Sequence, residues 1–257
     1  MKLMHRPGAE IDGDQQRFLS QPHKTKRLWA EAKTLWLAEQ ACAETSRLDR
    51  WFALTDYKKS FKGEKPREFG KEVIAALRLH LVGLQKGRCC YCRRWLQNVA
   101  HARPVEHVLS RKDYPQFSMQ YRNLVVCCRD CNQKKSDANW CDLPHTARHY
   151  PKVIDDYFHP RLHVYDTHIR YVRIETNDTV VALYHGLTDQ GRHLCREHLK
   201  TIAQVDGLVS NNKRVSKAFA RLQAASDVRD PSKVRELDAF INELHVAMHR
   251  VAGTRRP

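Results

Sequence analysis

Two pairs of closely spaced cysteines stand in the middle of this chain. Cys89 and Cys92 are separated by two residues, and so are Cys128 and Cys131. A two-residue gap lets both thiolates of a pair reach one ion, and two such pairs complete a tetrahedral Zn²⁺ shell. A shell closed by four thiolates leaves no open position for a substrate. The spacing therefore predicts a structural zinc site that holds a small unit together.

Adjacent cysteines leave the choice of ligands partly open. Cys90 lies at no two-residue gap from another cysteine, whereas Cys127 could replace Cys128 by widening the gap to Cys131. The chain has nine cysteines, and an odd number argues against a disulfide framework. We interpret the three cysteines outside the cluster as buried thiols, namely Cys42, Cys141 and Cys195.

Four polar residues lie between or directly after the cysteine pairs. Glu106 precedes His107, Asn123 follows sixteen residues later, and Asn132 stands directly after Cys131. Taken singly, each has an ordinary interpretation: a solvated Glu–His pair, a turn residue and a helix cap. Their joint placement inside one zinc frame favours a catalytic site.

This order of residues resembles the zinc-containing HNH nuclease family. The segments CCYC, VEHVLSRKDYP and RNLVVCCRDCNQKK carry the resemblance, with Asn132 at the third motif position, where His is usual. The resemblance implies a ββα-metal core, in which a β-hairpin and a helix grip one divalent ion. It also implies an endonuclease that hydrolyses phosphodiester bonds of DNA, with RNA not excluded.

The resemblance implies a role for each residue. His107 would accept the proton of the attacking water, for which an imidazole is suited because its pKa lies near neutral pH. Glu106 and Asn132 would hold a catalytic Mg²⁺ or Mn²⁺, since an amide oxygen can ligate a hard cation. Asn123 would orient the loop that carries His107. The phosphate contacts would come from Lys135, Arg111 and Arg103.

A looser similarity extends over residues from about 70 to 220, towards nuclease subunits of Septu-type and retron-associated antiphage systems. It includes His159-Pro160 and the Leu187–Gly191 segment before a later helix. This similarity implies antiviral defence together with an ATPase partner protein that controls cleavage. Two alternatives remain, namely a zinc-containing nucleic-acid binding module without catalysis and a nuclease toxin.

The charge of the chain independently favours a polyanionic partner. Lys and Arg number 45 against 29 Asp and Glu, which gives a net charge of +16. Lys and Arg contacts to phosphates release counterions and give affinity for any nucleic-acid sequence. We find no apolar run long enough for a membrane span and no leader peptide, so we expect a cytoplasmic protein.

Hydrophobic spacing predicts the elements that must position these residues. The predicted helices cover residues 24–43, 68–85, 189–203, 215–225 and 230–248. Gly87 is the natural stop of the second. The last has coiled-coil spacing, which packing within the chain explains better than a coiled coil. Segments 168–174 and 179–185 predict a β-hairpin, and residues 1–20 are predicted to be frayed.

Together these elements predict an α+β chain, with a zinc-stapled ββα-metal HNH core flanked by mainly helical regions and a small β-hairpin. We divide it into an N-terminal helical region (1–75), a nuclease core (76–140) and a C-terminal hairpin and helical region (141–257).

Overall fold

The computed structural model describes the chain in ranges that together form two compact units, residues 3–164 and 165–257. The described residues are 5–20, 26–60, 65–96, 103–175, 180–209, 217, 218, 221 and 243. Each unit combines helices with a small antiparallel sheet, which confirms the α+β class. The three-region division stays a prediction, and residues 141–164 belong to the first unit. No helix in the described ranges is long and apolar enough to cross a bilayer.

Helices open the first unit. Their bounds are α1 Gly8–Ser20, α2 Lys26–Ser46, α3 Trp51–Thr55 and α4 Phe69–Leu84. Helices α2 and α4 confirm two predicted helices to within three residues at each end. The short helix α3 was not predicted, because five residues are too few to show a helical period.

The prediction that residues 1–20 are frayed was wrong for residues 8–20, which form α1. Ile11 and Phe18 lie seven residues apart, on one face of the helix, and are fully buried. The ring of Phe18 contacts Trp36 of α2 edge-on, with 5.3 Å between centroids. Buried Asp14 forms an ion pair with Arg6 at 3.0 Å. With Leu19, a segment that looks polar in sequence thus carries three core residues and a paired buried carboxylate.

Helix α4 packs closely on α3 and then leads into the first cysteine pair. At Gly70, an added Cβ would lie 1.6 Å from the carbonyl oxygen of Leu54, so the contact between the helices requires glycine. Gly87 follows α4 with φ +70°, in the left-handed region that glycine adopts without strain. The predicted helix stop is therefore confirmed.

A two-stranded sheet and a short helix form the centre of the first unit. Strand β1 (Val105–His107) pairs antiparallel with β2 (Leu124–Val126), and α5 (Arg129–Lys135) follows. Gln85, just after α4, donates from Nε2 to the Val126 oxygen at 2.7 Å and accepts from the Val126 nitrogen at 2.8 Å. This side chain therefore fixes the end of α4 to the edge of β2.

The second unit is built on a β-hairpin. Its elements are α6 Tyr165–His168, β3 Ile169–Glu175, β4 Val180–Gly186, α7 Asp189–Leu194, a π-helical turn Cys195–Leu199 and α8 Lys200–Val209. The hairpin and the helical run after it confirm the prediction. Thr188 caps α7 by accepting from the Gly191 nitrogen at 3.1 Å. The two last predicted helices, 215–225 and 230–248, lie essentially outside the described residues.

Candidate functional site

The four predicted zinc ligands converge. The Sγ atoms of Cys89, Cys92, Cys128 and Cys131 all lie within 4.8 Å of one another. Cys92 and Cys128 are 3.7 Å apart at sulfur. Tetrahedral zinc with bonds of about 2.3 Å would separate neighbouring sulfurs by about 3.8 Å. The four thiols therefore have the number, chemistry and spacing to bind one zinc ion.

The two adjacent cysteines lie outside this cluster. The Cys90 backbone nitrogen donates to the Val126 oxygen at 3.2 Å, which ties the first cysteine pair to β2. The Cys127 thiol instead contacts Asn132 Oδ1 at 3.7 Å. Burial raises the pKa of both thiols well above the usual value, which favours the protonated form. The structure thus places Cys128, and not Cys127, in the cluster.

A hollow of about 580 Å³ opens beside β1 and α5. Glu106 and His107 of β1, Asn132 of α5 and Arg111 line it. Of the other predicted site residues, Asn123 and Lys135 are buried outside the lining. Arg103 precedes β1 and is also outside the lining. The structure therefore brings four of the seven predicted residues into one hollow.

His107 is held by the loop between β1 and β2. Its Nε2 lies 2.9 Å from the Ser118 oxygen. Since a carbonyl oxygen only accepts, Nε2 carries the proton and Nδ1 keeps its lone pair. The Trp51 ring of α3 contacts the imidazole edge-on, with 4.7 Å between centroids. Burial, with the charge of Arg111, lowers the pKa of His107 to about 3, so the ring is neutral at pH 7.

Asn123 closes the loop that carries His107. Its Nδ2 donates to the carbonyl oxygens of Leu109 and Phe117, each at 3.0 Å. Its Oδ1 accepts from the Leu109 nitrogen at 2.7 Å. These bonds join the two ends of the loop around Ser118, the residue that fixes the imidazole.

A chain of hydrogen bonds that the sequence did not reveal supports Asn123 from behind. His159 Nδ1 accepts from the Arg161 nitrogen at 3.1 Å, so the proton sits on Nε2. That Nε2 lies 2.6 Å from the Tyr150 hydroxyl, which in turn donates to Asn123 Oδ1 at 3.1 Å. His159 was noted only as part of the family similarity. No local spacing connects it with Asn123.

Lys135 lies under the hollow rather than on its surface. The side chain is 1% exposed, and its Nζ is 2.7 Å from Glu106 Oε1. It also donates to the His107 carbonyl oxygen at 3.1 Å. Burial raises the pKa of Glu106, and the Lys135 charge opposes that rise. The phosphate contact of Lys135 stays a prediction. It would require Nζ to give up its bonds to Glu106 and to the His107 carbonyl oxygen.

Part of the lining of the hollow comes from the region of α3, through Asp49 and Phe52. Arg111 Nη1 pairs with Asp49 Oδ2 at 2.7 Å, and the guanidinium lies 4.7 Å from the centre of the Phe52 ring. Phe52 is 61% exposed. Sequence reasoning missed this part of the lining, because Asp49 lies 62 residues before Arg111.

The hollow offers a carboxylate and an amide, whose oxygens are the type of ligand that a hard divalent cation prefers. Across the described ranges, the cysteine cluster is the one group of three or more His, Cys, Asp or Glu side chains close enough to share an ion. An ion beside Glu106 would therefore rely on this carboxylate, the Asn132 amide, water and substrate oxygens. Mg²⁺ prefers oxygen ligands and usually keeps several waters.

One curated protein is similar to part of the chain. Over 59 residues the chain is 34% identical to Septu protein PtuB of Bacillus thuringiensis, a stretch that covers 23% of each protein. The chain thus spans about a quarter of the length of that relative. No family model matches the chain. No solved structure matches it either.

Proposed function

We propose that this chain is a metal-dependent HNH endonuclease that hydrolyses phosphodiester bonds of DNA. The observation that carries the proposal is the hollow beside β1, where the imidazole of His107, the carboxylate of Glu106 and the amide of Asn132 line one cavity on a strand–strand–helix unit. The four-cysteine cluster fixes the first turn of α5, which carries Asn132.

In the proposed reaction, a water oxygen attacks the scissile phosphorus and the bond to the 3′ oxygen breaks. His107 Nδ1 takes the proton of the water. The hydrogen bond from Nε2 to Ser118 supports this role, because it leaves the lone pair on Nδ1. A phosphate drawn into the hollow would raise the low pKa of His107, since a nearby anion favours the charged imidazole. The base would thus strengthen when substrate is bound.

Glu106 and Asn132 would hold the Mg²⁺ or Mn²⁺ ion. The ion would supply charge neutralisation at the scissile phosphate and at the departing oxygen. Arg111 lines the same hollow and would contact the phosphate by sharing or releasing its ion pair with Asp49. The products would carry 5′-phosphate and 3′-hydroxyl ends.

We also propose that the chain acts as the effector of a prokaryotic antiphage defence system with an ATPase partner. The similarity to Septu protein PtuB supports a defence role. The net charge of +16 supports a nucleic-acid substrate. Neither observation separates DNA from RNA, so both are substrates in the test.

The test is cleavage of plasmid DNA and of RNA with Mg²⁺ or Mn²⁺, by the chain alone and co-expressed with the product of any adjacent ATPase gene. Wild type is compared with His107→Ala at equal zinc content. We expect wild type to cleave and the variant to lose at least about 100-fold in rate, the lower value for one general base. Equal cleavage by both proteins would refute the role of His107.

A nucleic-acid binding module without catalysis is the second candidate, and one observation favours it. The Lys135 ammonium lies 2.7 Å from the Glu106 carboxylate, so this carboxylate already has a cationic partner that a metal ion would have to displace or share. This candidate predicts tight binding without cleavage of either nucleic acid under all conditions of the test.

A further inference from the structure

A second hollow lies beside the loop that holds His107. Two adjoining cavities of about 470 and 650 Å³ share Gln120, His149 and Tyr150 in their linings. Arg47 and Arg148 line the first, and Lys152 lines the second. We call these two cavities together the basic hollow.

Three of the four Lys and Arg side chains that line the basic hollow have no ion-pair partner among the described residues. Arg47, Arg148 and Lys152 are exposed, and none forms an ion pair with another described residue. Arg122 is different, because it pairs with Asp12 at 2.7 Å. Glu44 is the carboxylate in the lining, and it accepts from the Gln120 amide at 3.3 Å. Positive charge therefore exceeds negative charge in this concave surface, which favours an anionic ligand.

The floor of the basic hollow is rigidly held. Tyr150 is bonded through its hydroxyl to Asn123 and His159, and its ring contacts Phe117 edge-on at 5.2 Å between centroids. Phe117 lines the basic hollow, while the next residue, Ser118, fixes His107. One short segment thus borders both hollows, and the cations stand on an ordered base.

We propose that the basic hollow binds phosphate groups of a nucleic-acid strand, as a site separate from the hollow beside β1. Its two cavities are far larger than one phosphate ion. Its unpaired cations are distributed over both cavities, as successive backbone phosphates would require. A strand seated there passes beside the segment that carries Ser118. The inference concerns binding and does not depend on cleavage.

The test is binding of a fluorescently labelled single strand and of a duplex, measured by anisotropy without divalent ions, so that cleavage plays no part. The double variant Arg47→Gln/Arg148→Gln is compared with Lys33→Gln/Arg170→Gln. The control also removes two positive charges, but at exposed positions outside both hollows.

We expect the substitutions in the hollow to weaken strand binding about tenfold. For a single strand, the slope of the logarithm of the binding constant against the logarithm of the salt concentration should become shallower by about 1.4, the value for two lost phosphate contacts. The control should stay near wild type. An equal loss in both variants would overturn the proposal, because it would reflect total charge alone. ATP binding to the same variants is measured as well, to test for a free-nucleotide site. If the hollow variant lost ATP binding while its strand binding stayed unchanged, the proposal would also be overturned.

Discussion

At the scale of single residues, the hollow beside β1 depends on side chains whose partners are distant in sequence. The Ser118 carbonyl oxygen orients the His107 imidazole, and the Lys135 ammonium forms an ion pair with the Glu106 carboxylate. The convergence of the four cysteines could be predicted, because their spacing is a local pattern, whereas the roles of Glu106 and His107 stay predictions. The burial of Lys135 could not be predicted, because a Lys in the last turn of a short helix usually faces solvent.

Removal of the Lys135 charge should destabilise the first unit strongly. In Lys135→Met, Glu106 is left buried without its cation, which costs about 3–5 kcal/mol. The double variant Glu106→Gln/Lys135→Met should recover most of that loss. Urea unfolding at equal zinc content measures both, with exposed Lys134→Met as the neighbouring control. A loss in Lys135→Met no larger than in the control would contradict the buried ion pair.

The pH dependence of stability should report on His159. Burial lowers its pKa in the folded protein well below the usual value, so the unfolded chain takes up the proton first as the pH falls. Its contribution to stability is therefore complete above about pH 6.5 and is lost below it, by up to about 1.4 kcal/mol per pH unit.

Unfolding of wild type, His159→Gln and His149→Gln between about pH 8 and about pH 5.5 measures this effect. His159→Gln should make the slope shallower, and His149→Gln is the control for the same substitution at an exposed position. The same slope in wild type and His159→Gln would show that the buried imidazole does not govern the acid response.

At the scale of elements, the position of α3 decides the wall of the hollow. Trp51 contacts His107, and the preceding residue, Arg50, donates its backbone nitrogen to Ser118 Oγ at 3.0 Å. The longer helices and the hairpin were predictable from their hydrophobic periods. Helix α3 and α1 were not, because the first is short and the second combines its apolar face with many polar residues.

Gly70→Ala should displace α3 from α4. The new methyl group would meet the Leu54 carbonyl oxygen, and overpacking of this kind costs about 1–3 kcal/mol. Gly83→Ala in the same helix is the matched control, because a Cβ there meets nothing within 4 Å. We expect it to be neutral or slightly stabilising. Thermal unfolding that ranks the two variants equally would refute the close helix contact.

The zinc content of the protein should depend on Cys128 and not on the adjacent Cys127. Cys128→Ser removes a thiolate of the cluster and should lower bound zinc below the one ion per chain expected of wild type. Cys127→Ser should keep the ion, because the Cys127 thiol contacts Asn132 instead. Elemental analysis of the purified variants gives the answer, and the reverse result would place Cys127 in the shell.

At the scale of the whole molecule, two hollows border the loop between β1 and β2, and the second of them has the excess of positive charge. In the proposed function the hollow beside β1 carries the reacting groups, while the basic hollow carries cations that have no ion-pair partner among the described residues. The total charge indicated a polyanionic partner from composition alone. The distribution of that charge could not be predicted, because Arg47 and Arg148 lie about a hundred residues apart in sequence and line one cavity only in the folded chain.

The most direct test of the account is chemical rescue of the base at His107. The measurement is the rate of DNA cleavage by His107→Gly with increasing free imidazole, and Glu106→Gln serves as a control that lacks the carboxylate but keeps the base. We predict that imidazole restores part of the rate to His107→Gly and none to Glu106→Gln. A His107→Gly protein that cleaves as fast as wild type without imidazole would contradict the assignment of His107 as the general base.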